Sequence, residues 1–207
     1  MSAKKYGVDL SHWNSIINYE VLKDKIDFII LKAGGHEAGL YKDKTFEERY
    51  NKFRKMGVPV GAYFFTGKYF INAQTGRDYA EEFLSLVKGK EFEVGLWLDN
   101  ESTDYRQKSG ATDAAINFCN AIERAGYYAG IYGSEISVFK DRYQLERLTA
   151  YAKWVARYSE KEPDMDYVIW QQSSSKRLAG ISGNVDYDIM KTDIISAIKK
   201  KKLTGGK

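Results

Sequence analysis

Short apolar runs alternate along the chain with longer amphipathic ones, and one apolar run ends in acids: Val94-Gly-Leu-Trp-Leu-Asp-Asn-Glu101. Side chains two apart on a strand share a face. The pattern predicts a buried strand with Gly95, Trp97, Asp99 and Glu101 on one side and Val94, Leu96 and Leu98 on the other. An ionised carboxylate is costly to bury unless it is paired. Two acids on one face at the end of such a strand mark an active site, or else they open a polar loop or bind a surface ion. The remaining elements decide between these readings.

Further strands are predicted at 6–10, 28–33, 58–65, 129–132, 153–156, 167–171 and 185–188. Helices are predicted at 18–25, 45–56, 73–86, 111–125 and 192–200, with a helical stretch from Ser134 to about residue 148. The 45–56 segment sets Phe46, Tyr50 and Phe53 on one helical face and stops at Gly57. Gly34-Gly-His-Glu37 reads as a flexible loop. Early strands alternate with helices, whereas the last three are joined by links too short for full crossover helices. The fold class is therefore α/β, an irregular (β/α)8-type, TIM-like barrel with shortened later units. A doubly wound open sheet would carry a glycine fingerprint after its first strand, and Gly7-Val-Asp-Leu-Ser-His is not one. The barrel is expected to span 1–198, with 199–207 a basic, glycine-containing tail or linker.

Composition narrows the partners. The formal charge is +4, and the lysines at 199–202 account for it, so the body is balanced. Nucleic acid is not an expected partner, because no broad basic face remains. Aromatics make up 14% of the chain, 16 of them Tyr and 4 Trp, and such amphipathic rings suit a sugar-stacking cleft. Cys119 falls at helical spacing with Ala115, Phe118 and Ile122, which predicts a core thiol, and a lone cysteine forms no internal disulfide. No apolar run is long enough to span a membrane. Met1-Ser-Ala-Lys-Lys carries no secretion signal, so synthesis is expected in the cytoplasm, whatever the place of action.

Asp9, Asp99, Glu101 and Asp186 are all read as falling at C-terminal strand ends or one step into the following loop. Barrel enzymes gather their chemistry at the C-terminal ends of the strands, so four scattered acids become one acidic cleft. Asp9 has a second reading as a turn cap beside Ser11. Tyr63, Phe65, Tyr132, Trp154 and Gln171 end strands in the same way, and Lys32 either snorkels outward or faces the cleft. Acids rimmed by aromatic rings suit neutral, hydroxyl-rich rings, while clustered carboxylates also suit Mg²⁺ or Ca²⁺. Two histidines, His12 and His36, are too few for an ordinary zinc site, and His36 reads as a solvated loop residue.

The motifs Gly7-Val-Asp-Leu-Ser-His-Trp-Asn14, Phe28-Ile-Ile-Leu-Lys-Ala-Gly34, Gly61-Ala-Tyr-Phe-Phe65, Leu98-Asp-Asn-Glu101, Ile131-Tyr132, Trp154-Val-Ala156, Trp170-Gln171 and Gly183-Asn-Val-Asp186 occur in this order. Together the series resembles the family 25 glycoside hydrolases, the Chalaropsis-type lysozymes found as bacterial autolysins and phage endolysins. Leu10, Trp13, Asn100 and the Ser173-Ser-Ser-Lys-Arg loop depart from commoner versions and bear on subsite preference.

The resemblance implies hydrolysis, with net retention, of the β-1,4 bond from N-acetylmuramic acid to N-acetylglucosamine in peptidoglycan. Glu101 is then the general acid, its pKa raised by burial beside Trp97 and by neighbouring carboxylates. Asp99 is the nucleophile or steers the substrate's acetamido group, while Asp9 and Asp186 orient the sugar and tune the pair. Lys32, Tyr63, Phe65, Tyr132, Trp154 and Gln171 bind substrate, and Asp188 is structural. No metal and no cofactor is implied. The resemblance also admits a C-terminal cell-wall-binding domain as partner and release onto the wall by a phage. A non-catalytic peptidoglycan-binding barrel would lack one of the acids, and a metal-dependent hydrolase would respond to chelator.

Overall fold

The computed structural model describes residues 4–206. In chain order its elements begin with β1 (Lys5–Leu10), β2 (Ser15–Ile16), α1 (Tyr19–Lys23), β3 (Phe28–His36), β4 (Leu40–Lys42), α2 (Phe46–Lys55) and β5 (Val60–Thr66). There follow α3 (Ala73–Val87), β6 (Leu96–Asp99), α4 (Lys108–Arg124), β7 (Ala129–Ser134), β8 (Ala152–Ala156), β9 (Ile169–Lys176), β10 (Ile181–Ser182), β11 (Val185–Met190) and α5 (Ile194–Lys201).

The strands β1-β11-β9-β8-β7-β6-β5-β3 pair in that order, and a parallel β1–β3 pairing closes the ring. The predicted eight-stranded barrel is thus present. Its irregularity is one reversed strand: β11 runs antiparallel to both β1 and β9, while the other barrel pairings are parallel. Asp186 therefore does not sit at the C-terminal end of a parallel strand. It reaches the mouth from the beginning of a reversed strand, where it lies opposite Asp9. A short connection explains the reversal, because only an antiparallel return closes the ring without a crossover helix.

Two apolar layers hold the barrel. Outside, the side chains of Leu96, Leu98 and Phe64 pack with Phe83 of α3 and Phe118 of α4. Inside, Phe28, Ile30, Trp97, Trp154 and Ile169 fill the barrel, and Ile194, Ile195 and Ile198 of α5 pack onto that interior cluster. Each fully buried side chain of this size contributes about 1.5–3 kcal/mol. Val94 joins Trp97 in the interior cluster, against strict alternation. Gly95 between them has φ +83, a left-handed conformation that breaks the two-residue period and starts β6 afresh. Gly130 on the neighbouring strand leaves room for the Trp97 indole, since a Cβ there would lie 2.2 Å from the ring.

Four segments depart from expectation, the first being the predicted loop at 173–177, of which residues 173–176 belong to β9. The predicted loop at 34–37 is mostly strand: β3 continues to His36 and pairs with β4. His36 is not simply solvated, because its Nδ1 lies 2.8 Å from Glu82 Oε2 and its ring stacks on Tyr79 at 4.2 Å. The helical stretch after Ser134 is a π-helical turn, Glu135–Lys140, followed by a short 3-10 turn, Leu145–Arg147.

The basic segment from residue 199 does not hang free as a linker. Lys199, Lys200 and Lys201 belong to α5. Beyond them, Phe92 N–H bonds to Thr204 O at 3.0 Å and Tyr128 N–H to Leu203 O at 2.9 Å. Cys119 is buried as expected, and burial pushes its thiol pKa up. Among the described residues no helix is long and apolar enough to cross a membrane.

Candidate active site

All ten residues singled out from the sequence line one cavity of about 320 Å³ at the barrel mouth, together with Ser11, Trp13 and Tyr158. Parallel strands deliver most of them. The register sets Phe65 beside Asp99, Asp99 beside Tyr132 and Tyr132 beside Trp154 across β5, β6, β7 and β8. Lys32 takes the cleft-facing alternative, with Nζ 4.8 Å from the Phe65 ring centroid and 5.8 Å from that of Tyr63. These are cation–π distances, so Lys32 sits among the aromatics as a fixed positive charge near the acids.

Hydrogen bonds organise the inner wall. Gln171 Nε2 donates to Asp9 Oδ2 at 2.7 Å, and Gln171 Oε1 accepts from the hydroxyls of Tyr132 at 2.9 Å and Tyr158 at 3.0 Å. Those two hydroxyl donors explain why the amide nitrogen turns toward Asp9. Trp154 Nε1 donates to Asp188 Oδ1 at 2.8 Å, and both residues are buried. Gln171 and Trp154 are therefore held by protein partners inside the wall, and neither offers the open face of a stacking platform. On the lip, the chain after β6 is pinned by buried polar contacts. Thr66 Oγ1 donates to Asp99 O at 3.3 Å, Thr103 Oγ1 to Asn100 Oδ1 at 2.9 Å, and Arg142 Nε to Thr103 O at 2.7 Å.

The five carboxyls of this region, Asp9, Asp99, Glu101, Asp186 and Asp188, all have raised pKa values, with burial the largest cause in each. Asp188 and Asp186 add repulsion at Asp9, and Glu101 adds it at Asp99. Asp186 is pushed up to about 6, by burial and then by Glu101. Lys32 works the other way on Asp99, and Arg142 and Lys32 do so on Glu101.

The two acids after Trp97 occupy different environments. Asp99 is buried, with Oδ1 lacking any partner among the described residues, whereas Glu101 is exposed on the lip. Glu101 is raised by the walls around it rather than by neighbouring carboxylates, and water at the lip limits that effect. Like charges gathered in one buried site disfavour full ionisation of the cluster.

Three cavity residues, Ser11, Trp13 and Tyr158, escaped the sequence-based site. Trp13 is 84% exposed and Tyr158 is 59% exposed, both on the lip. Trp13 follows Asp9 closely, and a large apolar side chain in a polar turn was the available signal. Its turn is rigidly anchored. Arg49 donates to Ser11 O at 2.6 Å and to Asn14 O at 2.5 Å. Both the backbone N–H and Nδ1 of His12 lie 2.9 Å from Asp43 Oδ2, and the His12 ring packs 4.4 Å from the Trp13 ring. Burial alone would raise the Asp43 pKa, but hydrogen bonds from Thr45 and His12 outweigh it and hold the carboxylate ionised below its usual range. Among the described residues no group of three or more His, Cys, Asp or Glu is arranged to hold a metal ion.

A closed barrel with carboxyls collected where its parallel strands end is the layout of a barrel enzyme. The family model for glycosyl hydrolases family 25 matches residues 8–181, and the chain belongs to that family. It is 23% identical over 185 residues to the autolytic lysozyme of Clostridium acetobutylicum, covering 88% of this chain and 54% of that protein. It is 27% identical over 209 residues to lysozyme M1 of Streptomyces globisporus, covering 87% of this chain and 65% of that one. The chain thus spans between half and two thirds of these relatives' length. Among solved structures, the CTP1L endolysin superposes with a TM-score of 0.80 at 24% identity, over 95% of this chain and 70% of that one. The catalytic domain of endolysin ply40, from bacteriophage P40 of Listeria monocytogenes, superposes at 0.76 with 22% identity, over 99% of this chain and all of that one. These two likenesses show the shared fold.

Proposed function

We propose that the chain is a lysozyme of the endolysin or autolysin kind, hydrolysing the β-1,4 bond between N-acetylmuramic acid and N-acetylglucosamine in peptidoglycan with net retention. The observation that carries this is the pair after Trp97: one carboxyl buried in the cavity wall and one on its open lip, two residues apart in a family 25 barrel. Glu101, reachable from solvent, protonates the departing glycosidic oxygen. Asp99 stabilises positive charge developing at the anomeric carbon, either by attacking it or by holding the acetamido group that attacks. Burial and the Glu101 charge raise the Asp99 pKa, and Lys32 opposes them in favour of the ionised form that this role needs.

Asp9 and Asp186 face each other across β1 and β11 and orient the sugar from below. Tyr63, Phe65 and Tyr132 offer walls to the ring, and Trp13 adds an open platform at the entrance. Gln171 and Trp154 act by fixing Asp9, Tyr132 and Asp188. Peptidoglycan is the partner, and a cell-wall-binding domain joined to this barrel would hold it on the wall.

The pH profile follows from these roles. Glu101 works while protonated, so activity falls as pH rises through its raised pKa. Asp99 works while ionised, so activity also falls at low pH. The two limbs report macroscopic values of the coupled cluster. A turbidity assay on purified peptidoglycan, with and without EDTA, tests the proposal. Clearing unaffected by chelator is expected. Loss of clearing with EDTA would point to metal-dependent hydrolysis, and no clearing at all to a binding barrel.

A further inference from the structure

Beside the acidic cavity lies a second and larger recess of about 610 Å³ that shares Glu101, Tyr132 and Tyr158 with it. Its chemistry differs. Where the first is walled by acids and rings, this one is lined by Arg157, Lys140, Glu135 and Asp164 together with the apolar side chains of Ile136 and Ala156. Charges of both signs beside apolar side chains offer more than hydroxyl groups alone would use. A short peptide, with methyl groups, amides and a carboxylate, uses both.

We propose that this recess binds the peptide stem carried on the lactyl group of the muramoyl residue, with Arg157 receiving a peptide carboxylate. The inference rests on the peptidoglycan reading above and extends it from the glycan to its substituent. Glu135 is buried and neutralised on both sides: Lys140 Nζ lies 3.0 Å from its Oε1 and Arg157 Nη1 2.8 Å from its Oε2. Arg157 Nη1 also reaches Asp164 Oδ2 at 3.0 Å. Both of these bonds leave from one nitrogen, so Nε and Nη2 have no protein acceptor among the described residues.

A guanidinium held at one corner, with a two-donor edge unused in a recess, is arranged to take a carboxylate bidentately. The backbone on either side of Arg157 is fixed too. Its N–H bonds to Gln171 O at 3.1 Å, and its carbonyl accepts from Trp170 Nε1 at 2.8 Å. Ile136, 62% exposed on the π-helical turn, supplies an open apolar surface for the peptide's methyl groups.

The test compares two substrates: intact peptidoglycan, and the same glycan stripped of its peptides by an N-acetylmuramoyl-alanine amidase. The wild-type protein should show a lower KM on the peptide-bearing glycan. Arg157→Gln should raise that KM about tenfold, the size of one charge-assisted hydrogen bond, with kcat within twofold. The variant's rate on stripped glycan should match wild type, which also shows that it folds. Because Arg157 neutralises buried Glu135, Ile136→Glu provides a second variant. It adds a repelling carboxylate at an exposed position and should raise KM on the peptide-bearing substrate alone. Equal effects of Ile136→Glu on both substrates, or none on either, would overturn the proposal. Wild-type protein inert on both glycans would instead defeat the lysozyme reading beneath it.

Discussion

The two ends of the barrel are built on opposite terms. At the bottom, Ile194, Ile195 and Ile198 of α5 pack against the interior cluster, and the segment after them bonds its backbone to Phe92 and Tyr128. At the mouth, five carboxyls with raised pKa values crowd together, and Asp99 Oδ1 and Asp188 Oδ2 are buried without partners among the described residues. The bottom makes the fold stable, and the mouth holds groups that lower stability because chemistry requires them there. Such opposition marks functional sites in general.

Substitutions at each end should separate the two. The largest effect is expected of Glu101→Gln, which removes the acid and lowers kcat by about 10²–10⁴-fold while leaving the melting temperature unchanged or slightly raised. Near-normal clearing of cell walls by this variant would remove the assignment. At the other end, Ile198→Ala should destabilise by about 2–5 kcal/mol and lower Tm by roughly 2–4 °C for each of these. Its activity at 25 °C should remain. Denaturant unfolding beside a rate assay checks both halves.

Smaller effects refine the contrast at the lip and in the wall. Trp13→Ala should raise KM several-fold, up to about tenfold, through the loss of one stacking surface. Stability should hold, since the ring is 84% exposed.

Asp188→Asn should stabilise the fold, by about 1 kcal/mol, since it replaces a buried carboxyl with an amide that still accepts from Trp154. The size of the effect depends on pH. A carboxyl whose folded pKa is raised binds more protons folded than unfolded, so its contribution is most favourable below the unfolded value. It is lost as pH rises through the folded one. The variant's advantage should therefore be small near pH 4 and grow toward pH 8. Melting curves at both values decide it, and an advantage that shrinks with rising pH would contradict the assigned shift.

Much of this contrast was legible in the sequence. Period-two acids after Trp97, strand-end aromatics and the order of motifs sufficed to assemble the ten residues that line the cavity. Less legible was anything set by pairing partners rather than by local pattern. The reversal of β11 depends on closure of the ring, so Asp186 was expected at the mouth for the wrong geometric reason. Val94 faces the interior because one glycine adopts a positive φ, which alternation does not register. The run of lysines from residue 199 looked like solvated linker, yet the backbone just beyond it finds partners that no charge pattern reveals. Gln171 and Trp154 were recognised as cavity residues, but only the hydrogen bonds separate positioning from open contact with a sugar.

The central claim is that this mouth cuts the glycan on the reducing side of muramic acid. Its most direct test is mass spectrometry of borohydride-reduced fragments from purified peptidoglycan digested by the wild-type protein. The account predicts that the new reducing ends are muramoyl and are missing from a Glu101→Gln digest. Glucosaminyl ends, severed peptide links, or the same muramoyl ends from the variant would contradict it.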